Sequence, residues 1–248
     1  MVRNIYILLL SLLMTMSLSA QNSLFLDEEN DDTLLLKKYR MHDGHWAGID
    51  LGMNVLLNSS FGRDFGLEPQ WKNAVQNSWN INLNILDHKF LIEENKLGLT
   101  VGLGINYSQT AFTKNFFMYE AYDSVTKQIE VFSGYDKVNY SRDKLRVIYL
   151  QVPLLLEFTP IKNSWISAGV VGGYRVGSST RVDIEDKKTV TILKTRGTFN
   201  LKPFKLDATI RGGYKDWGAF VTYSLVPMFK TSKNVDVHPF SFGLSFNY

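Results

Sequence analysis

The sequence predicts an all-β fold, a transmembrane eight-stranded antiparallel up-and-down β-barrel, and three observations predict it. Apolar and polar side chains alternate with period two along eight segments, each about long enough to cross a bilayer as a tilted strand. The polar faces of those segments carry Asn, Ser, Thr and Gly, while nearly all Lys, Asp and Glu sit between segments. The connections also alternate strictly between long and short.

The segments run as follows. Residues 46–56, WAGIDLGMNVL, set Ala47, Ile49, Leu51, Met53 and Val55 against Gly48, Asp50, Gly52 and Asn54. Residues 79–86, WNINLNIL, set Trp79, Ile81, Leu83 and Ile85 against Asn80, Asn82 and Asn84. Residues 97–107, LGLTVGLGINY, repeat the pattern with Gly, Thr and Asn on the polar face. In 145–158 the apolar positions are Ile148 to Phe158 by twos, opposite Tyr149, Gln151, Pro153 and Glu157. Segments 165–176, 205–214, 217–226 and 239–248 complete the set, the last alternating Phe240, Phe242, Leu244, Phe246 and Tyr248 with Ser241, Gly243, Ser245 and Asn247.

Between them lie 22, 10, 37, 6, 28, 2 and 12 residues, so the long connections are 57–78, 108–144, 177–204 and 227–238. A membrane barrel with short periplasmic turns, long outer loops and both termini on the periplasmic side produces this sorting. A soluble barrel would turn its apolar face inward and its charges outward. Small uncharged groups suit instead the cramped interior of eight strands, with the apolar face toward lipid, and closure is then obligatory because hydrocarbon cannot satisfy an open sheet edge.

Ahead of the barrel, residues 1–20 carry Arg3, an apolar run from Ile5 to Met14 and small residues before Gln21, the pattern of a cleaved signal peptide. Residues 21–45, with acids from Asp27 to Asp32, read as a periplasmic arm without a sustained period. Its His42, Asp43 and His45 invite a metal reading, but two histidines and an aspartate lack a fourth ligand, and a polar turn before a strand explains them as well. The barrel then occupies 46–248.

Composition narrows the function classes. The net charge is +3 with basic residues spread along the chain, which gives no footprint for nucleic acid. With no cysteine there is no disulfide framework, lipoprotein anchor or thiolate metal site, and nothing calls for a cofactor. Membrane lipids are the expected surroundings.

Aromatic residues fall at segment ends as interfacial girdles would: Trp46, Phe158, Tyr214, Trp217 and Tyr248 at the periplasmic side, and Trp79, Tyr107, Tyr174, Tyr223 and Phe240 at the outer side. The inward charges are expected to form an ion network, Arg175 with Asp207 near the outer end, and Arg211 with Glu157 and Asp50 lower down. Pro153 removes a ladder hydrogen bond in mid-strand, so a bulge is expected there.

The stretch YLQVPLLLEF around Pro153, with AGVVGGYRV and NLKPFKLDATIRGGY, resembles the PorT-like outer-membrane β-barrel family of Bacteroidota over roughly Trp46 to Tyr248, most specifically at Tyr149 to Leu156. That resemblance implies the outer membrane of a Gram-negative bacterium. Ser241, Gly243, Phe246 and Tyr248 look like the terminal strand signal read by the barrel assembly machinery, which the likeness implies as a transient partner.

Three functional readings follow. The favoured one is a non-enzymatic barrel with a plugged lumen and a structural or surface-binding role through its outer loops. Loop 108–144 is rich in aromatics, among them Phe116, Phe117, Tyr119 and Tyr122, which could meet a glycan or an envelope protein or pack on each other. Its FFMYEAYDS and IEVFSG halves read as a hairpin, as do RVDIED and TVTILKTR in the next loop. The second reading, an accessory of a secretion or transport system, rests on the family resemblance. The third, a lipid-modifying enzyme, has His238 beside Asp236 and Ser241 as its one outer-surface constellation.

Overall fold

The computed structural model describes residues 44–66, 71–93, 96–112, 116–123, 128–135, 140–186, 189–230 and 236–248, with the backbone alone for 116–123, 128–135, 140–143, 184–186 and 189–191. Residues 1–43, including His42 and Asp43, lie outside the described residues.

Strands β1 (Gly48–Leu57), β2 (Trp79–Glu93), β3 (Leu97–Ala111), β4 (Phe116–Asp123), β5 (Gln128–Tyr135), β6 (Tyr140–Phe158), β7 (Ser164–Asp186), β8 (Thr189–Arg196), β9 (Phe204–Tyr214), β10 (Trp217–Ser224) and β11 (His238–Asn247) follow in chain order. Eight of them close a ring, β1-β2-β3-β6-β7-β9-β10-β11 and back to β1, every neighbour antiparallel. Each ring strand lies beside the next ring strand in the chain, which is the up-and-down order. The ring has no free edge, and this is the condition a lipid solvent imposes.

The remaining strands belong to the expected hairpins. β4 pairs with β5 from Phe116–Tyr135 to Asp123–Gln128, apart from the ring. β8 pairs with the upper part of β7, from Ser179–Arg196 to Asp186–Thr189. Together β6, β7 and β8 form a wall that stands above the rest of the barrel.

The distribution of side chains is inverted relative to a soluble protein. Positions of the outward face are open, with Ile210 64% and Leu244 65% exposed, while the inward face buries Asp50, Asn54, Asn84, Thr100, Gln151 and Ser245. An apolar exterior continuous around a closed ring, over a polar interior, is the arrangement of a transmembrane barrel.

Strand boundaries differ from those expected in one instructive place. β2 continues to Glu93 instead of ending at residue 86, because the ladder with β3 shifts register between Asn84 and Leu86. The extra residue switches the inward set from Asn80, Asn82 and Asn84 to Asp87 and Lys89, so strict alternation is lost although the strand is not. The connection that follows is correspondingly tight, and His88 lies within the strand.

Pro153 does not sit on a bulge. The pairs on either side of it, Val101–Leu154 and Gly104–Gln151, keep one register, so its missing N–H is absorbed as a gap in the β3 ladder without an inserted residue. The bulge lies higher, between Ile148 and Tyr149 on the β7 side.

Trp46 is also reassigned. It is 2% exposed and points into the lumen, not into a girdle. Gly48 makes this possible: its φ of +145° is a conformation other residues avoid, and a side chain there would strike the carbonyl of Phe246, so the chain can turn from lumen to wall at this point.

Candidate functional site

The lumen is where the chemistry-bearing side chains converge, and its centre is Asp50. Its two carboxylate oxygens accept from Arg211 Nη1 and Nη2, each at 2.8 Å, with Asp50 fully buried and Arg211 nearly so. Asn82 Nδ2 and Asn84 Nδ2 add two more donors to Oδ2 at 3.1 and 3.0 Å. Asn106 in turn donates to Asn80 at 2.6 Å and Asn82 at 2.7 Å, and Gln151 donates to Asn84 at 3.2 Å. The three alternating asparagines of β2 thus form a hydrogen-bonded relay that solvates a buried ion pair in place of water.

Nearer the short turns, Glu157 on β6 gathers a second group. Lys89 Nζ donates to Oε1 at 2.8 Å, the His45 ring Nδ1 lies 2.8 Å from the same oxygen, and the His45 backbone N–H donates to Oε2 at 2.9 Å. Lys89 reaches across because Gly98, Glu157's partner on β3, has no side chain: a Cβ there would lie 2.6 Å from Lys89 Cε. Asp87 accepts the backbone N–H groups of Trp46 and Ala47 at 2.8 and 3.0 Å. Residues Gly44 to Ala47 are therefore tied into the mouth by two inward carboxylates.

That tie places a plug. Trp46 packs with Leu155 and Val171, and the Arg211 guanidinium lies 4.8 Å from its ring. His45 stacks on buried Trp165 at 5.0 Å, and Trp165 Nε1 donates to the Lys215 carbonyl. The floor of the barrel is thus aromatic and closed.

The opposite mouth is closed differently, by the long connections. Phe65 and Trp71 from the first, Phe199 and Leu201 from the third, and Met228 and Phe229 from the fourth make an apolar cluster. Leu56, Leu145, Val147 and Tyr149 support it from the inner face of the strands, and Phe112 packs against it. Backbone bonds lace the connections together, Lys202 N to Met228 O and Lys230 N to Asn200 O, each at 2.8 to 2.9 Å. Between floor and lid there remains a partly open cavity of about 50 Å³ beside Asn80, Asn106, Tyr149, Lys205 and Asp207. That volume holds a few waters and is no pore.

The expected ion network forms in part with other partners. Arg211 meets Asp50 but not Glu157, which Lys89 and His45 occupy. Arg175 does not pair with Asp207. The β7–β9 ladder sets Asp207 opposite Val171, four residues from Arg175 and so about 13 Å away along the strand. Arg175 Nη1 donates to Ser178 Oγ and the Thr198 carbonyl, and Asp207 takes Lys205 Nζ at 2.7 Å. Lys89, Lys205 and His45 are the members that the sequence reading missed. Lys205 and Asp207, two apart on a strand, offered a sequence signal; Lys89 was hidden by the register shift.

The other expected residues fall as follows. Ser241 is inward, Gly243 lies between β1 and β10, Phe246 is outward, and Tyr248 donates its hydroxyl to the Asn84 and Ile85 carbonyls at 3.2 Å, at the β2 bulge. Phe116, Phe117, Tyr119 and Tyr122 are on β4, and their side chains lie outside the described residues. His238 is buried with Nδ1 2.8 Å from the Ser224 carbonyl and its ring stacked on Tyr223, while Asp236 is exposed.

No family model matches the chain, and no curated protein matches it. Among solved structures it is similar to Ail, the attachment invasion locus protein of Yersinia pestis, at 9% identity over 81% of this chain and 98% of that one, with a TM-score of 0.32. Ail in complex with the heparin analogue sucrose octasulfate gives 9% identity, 80% and 94% coverage and a TM-score of 0.33. A KdgM porin gives 9% identity, 80% and 99% coverage and a TM-score of 0.18. The barrel itself rests on the closed ladder of this chain.

Proposed function

We propose that this protein is a non-enzymatic outer-membrane β-barrel of a Gram-negative bacterium, exported by the signal peptide of residues 1–20, PorT-like in kind. Its role is structural or surface-binding and is exercised through the connections opposite the chain termini. The observation that carries this reading is that both mouths are filled by side chains, Trp46 with its neighbours at one and the Trp71–Phe229 cluster at the other, while the space between holds an ion pair and a few waters. A tube filled at both ends by the described residues is unsuited to a wide solute path. The motif from Tyr149 to Leu156 supports the family, and the carboxyl-terminal Ser241, Gly243, Phe246 and Tyr248 support handling by the barrel assembly machinery. His238 is engaged with the Ser224 carbonyl, which supports a structural role for it.

Planar-bilayer recording of the refolded chain tests the reading. The expected record shows no steady open-pore current at the level of general porins. A sustained current of that size would overturn it.

A further inference from the structure

The wall of β6, β7 and β8, with β3 paired beside it, carries a feature that the lumen does not explain. Cross-strand partners share a face, so Gln109, Arg146, Ser179 and Arg196 form one row, and Ala111, Lys144, Arg181 and Lys194 form the next. This is the outward face. Ile148 and Leu150 continue it toward the membrane, whereas Leu145 and Val147 point inward into the apolar lid. Five basic side chains therefore occupy two adjacent rows, about 7 Å apart and about 14 Å wide.

Like charges set directly opposite one another on a sheet destabilise it, and Lys144, Arg181 and Lys194 are such a run. Among the described side chains on this face, the carboxylate nearby is Asp183, which accepts from Arg181 at 2.7 and 3.1 Å. Arg146 donates to neutral Gln109 at 3.1 Å, and Lys194 and Arg196 are exposed. Such an arrangement suits an anion from outside the chain.

Its height says which anion. The apolar outward positions of β6 run from Phe158 to Ile148, ten steps. At about 3.4 Å per step and a tilt of about 40°, they rise about 26 Å, the height of the apolar band of a membrane barrel. Arg146 is the next outward position, at headgroup level, where basic side chains extend along the interface.

We propose that Arg146, Arg181, Lys194 and Arg196 bind the phosphate groups of a phosphorylated glycolipid of the outer leaflet. The site rests on the outer-membrane reading above. It lies on the side of the wall, level with lipid headgroups, on strands that carry two of the long connections beyond the barrel.

The test titrates the refolded full chain in micelles with diphosphoryl lipid A, with dephosphorylated lipid A and with inorganic phosphate, and reads retained lipid by native mass spectrometry. Each basic residue near an anionic surface contributes about fivefold, so Arg146→Ala/Lys194→Ala/Arg196→Ala should weaken diphosphoryl lipid A by about a hundredfold. Dephosphorylated lipid should bind as weakly to the native chain, and millimolar inorganic phosphate should not displace the lipid. Equal retention of the two lipids, equal binding by the triple variant, or displacement by inorganic phosphate would each overturn the site. The comparison of the two lipids on the native chain decides even where the variant fails to fold. Heat-modifiable gel migration of the native chain reports the membrane reading separately: its loss sinks that reading, whereas intact migration without lipid discrimination sinks this site alone.

Discussion

Arg211 on β9 and Asp50 on β1 face each other across the lumen and close a two-pronged ion pair, both contacts 2.8 Å, with neither side chain open to water. A pair so buried contributes little net stability but is costly to break by halves. Arg211→Ala should therefore destabilise the barrel by about 3–5 kcal/mol in urea titrations from lipid vesicles, and Arg211→Met with Asp50→Leu by less than the single change. Single variants as stable as the native chain would mean that the pair is solvated from elsewhere.

The floor plug predicts an exchange signature. The amides of Trp46 and Ala47 donate to Asp87, and charge-assisted bonds of this kind contribute about 1.5–3 kcal/mol. In Asp87→Ala, hydrogen exchange at Trp46 and Ala47 should accelerate by about ten- to a hundredfold, with β11 amides unchanged. Unaltered protection at those two positions would show that the segment is held by packing alone.

The lid depends on large side chains from separate connections. Trp71 is almost fully buried against Phe229, their ring centroids 4.7 Å apart. Trp71→Ala should cost about 3–5 kcal/mol and expose the long connections to added protease. It should not open a conducting path, since Trp46 still closes the other mouth. Steady current from this variant would show that the floor leaks.

Period-two alternation made the ring legible in the sequence, because each wall residue faces one of two solvents and the choice is written in its polarity. The alternation failed where geometry intervened. The β2 bulge reversed the facing of Asp87 and Lys89 and concealed half of the Glu157 cluster. Trp46 has the parity of Gly48 and Asp50, which already pointed it inward; its position at a segment end argued the other way, and only the turn at Gly48 decides. The lid was illegible for a different reason: Phe65, Trp71, Phe199 and Phe229 come from irregular connections, where contact depends on long-range closure and no period records it. Pairing of Arg175 with Asp207 was misjudged by the register of β9 against β7, since a shift of a few residues moves a charge by more than a side chain can reach.

The inversion of faces is tested most directly on β11, whose neighbours are known on both sides. The chain has no native cysteine, so single cysteines at Ser241, Phe242, Gly243, Leu244, Ser245 and Phe246 can each carry a spin label in the vesicle-reconstituted protein without background. Oxygen, which concentrates in the acyl layer, should collide most with labels at 242, 244 and 246, and a water-soluble nickel reagent should reach none of these three. Maxima for oxygen at 241, 243 and 245, or ready access of nickel to 244, would contradict a barrel with its apolar face in lipid.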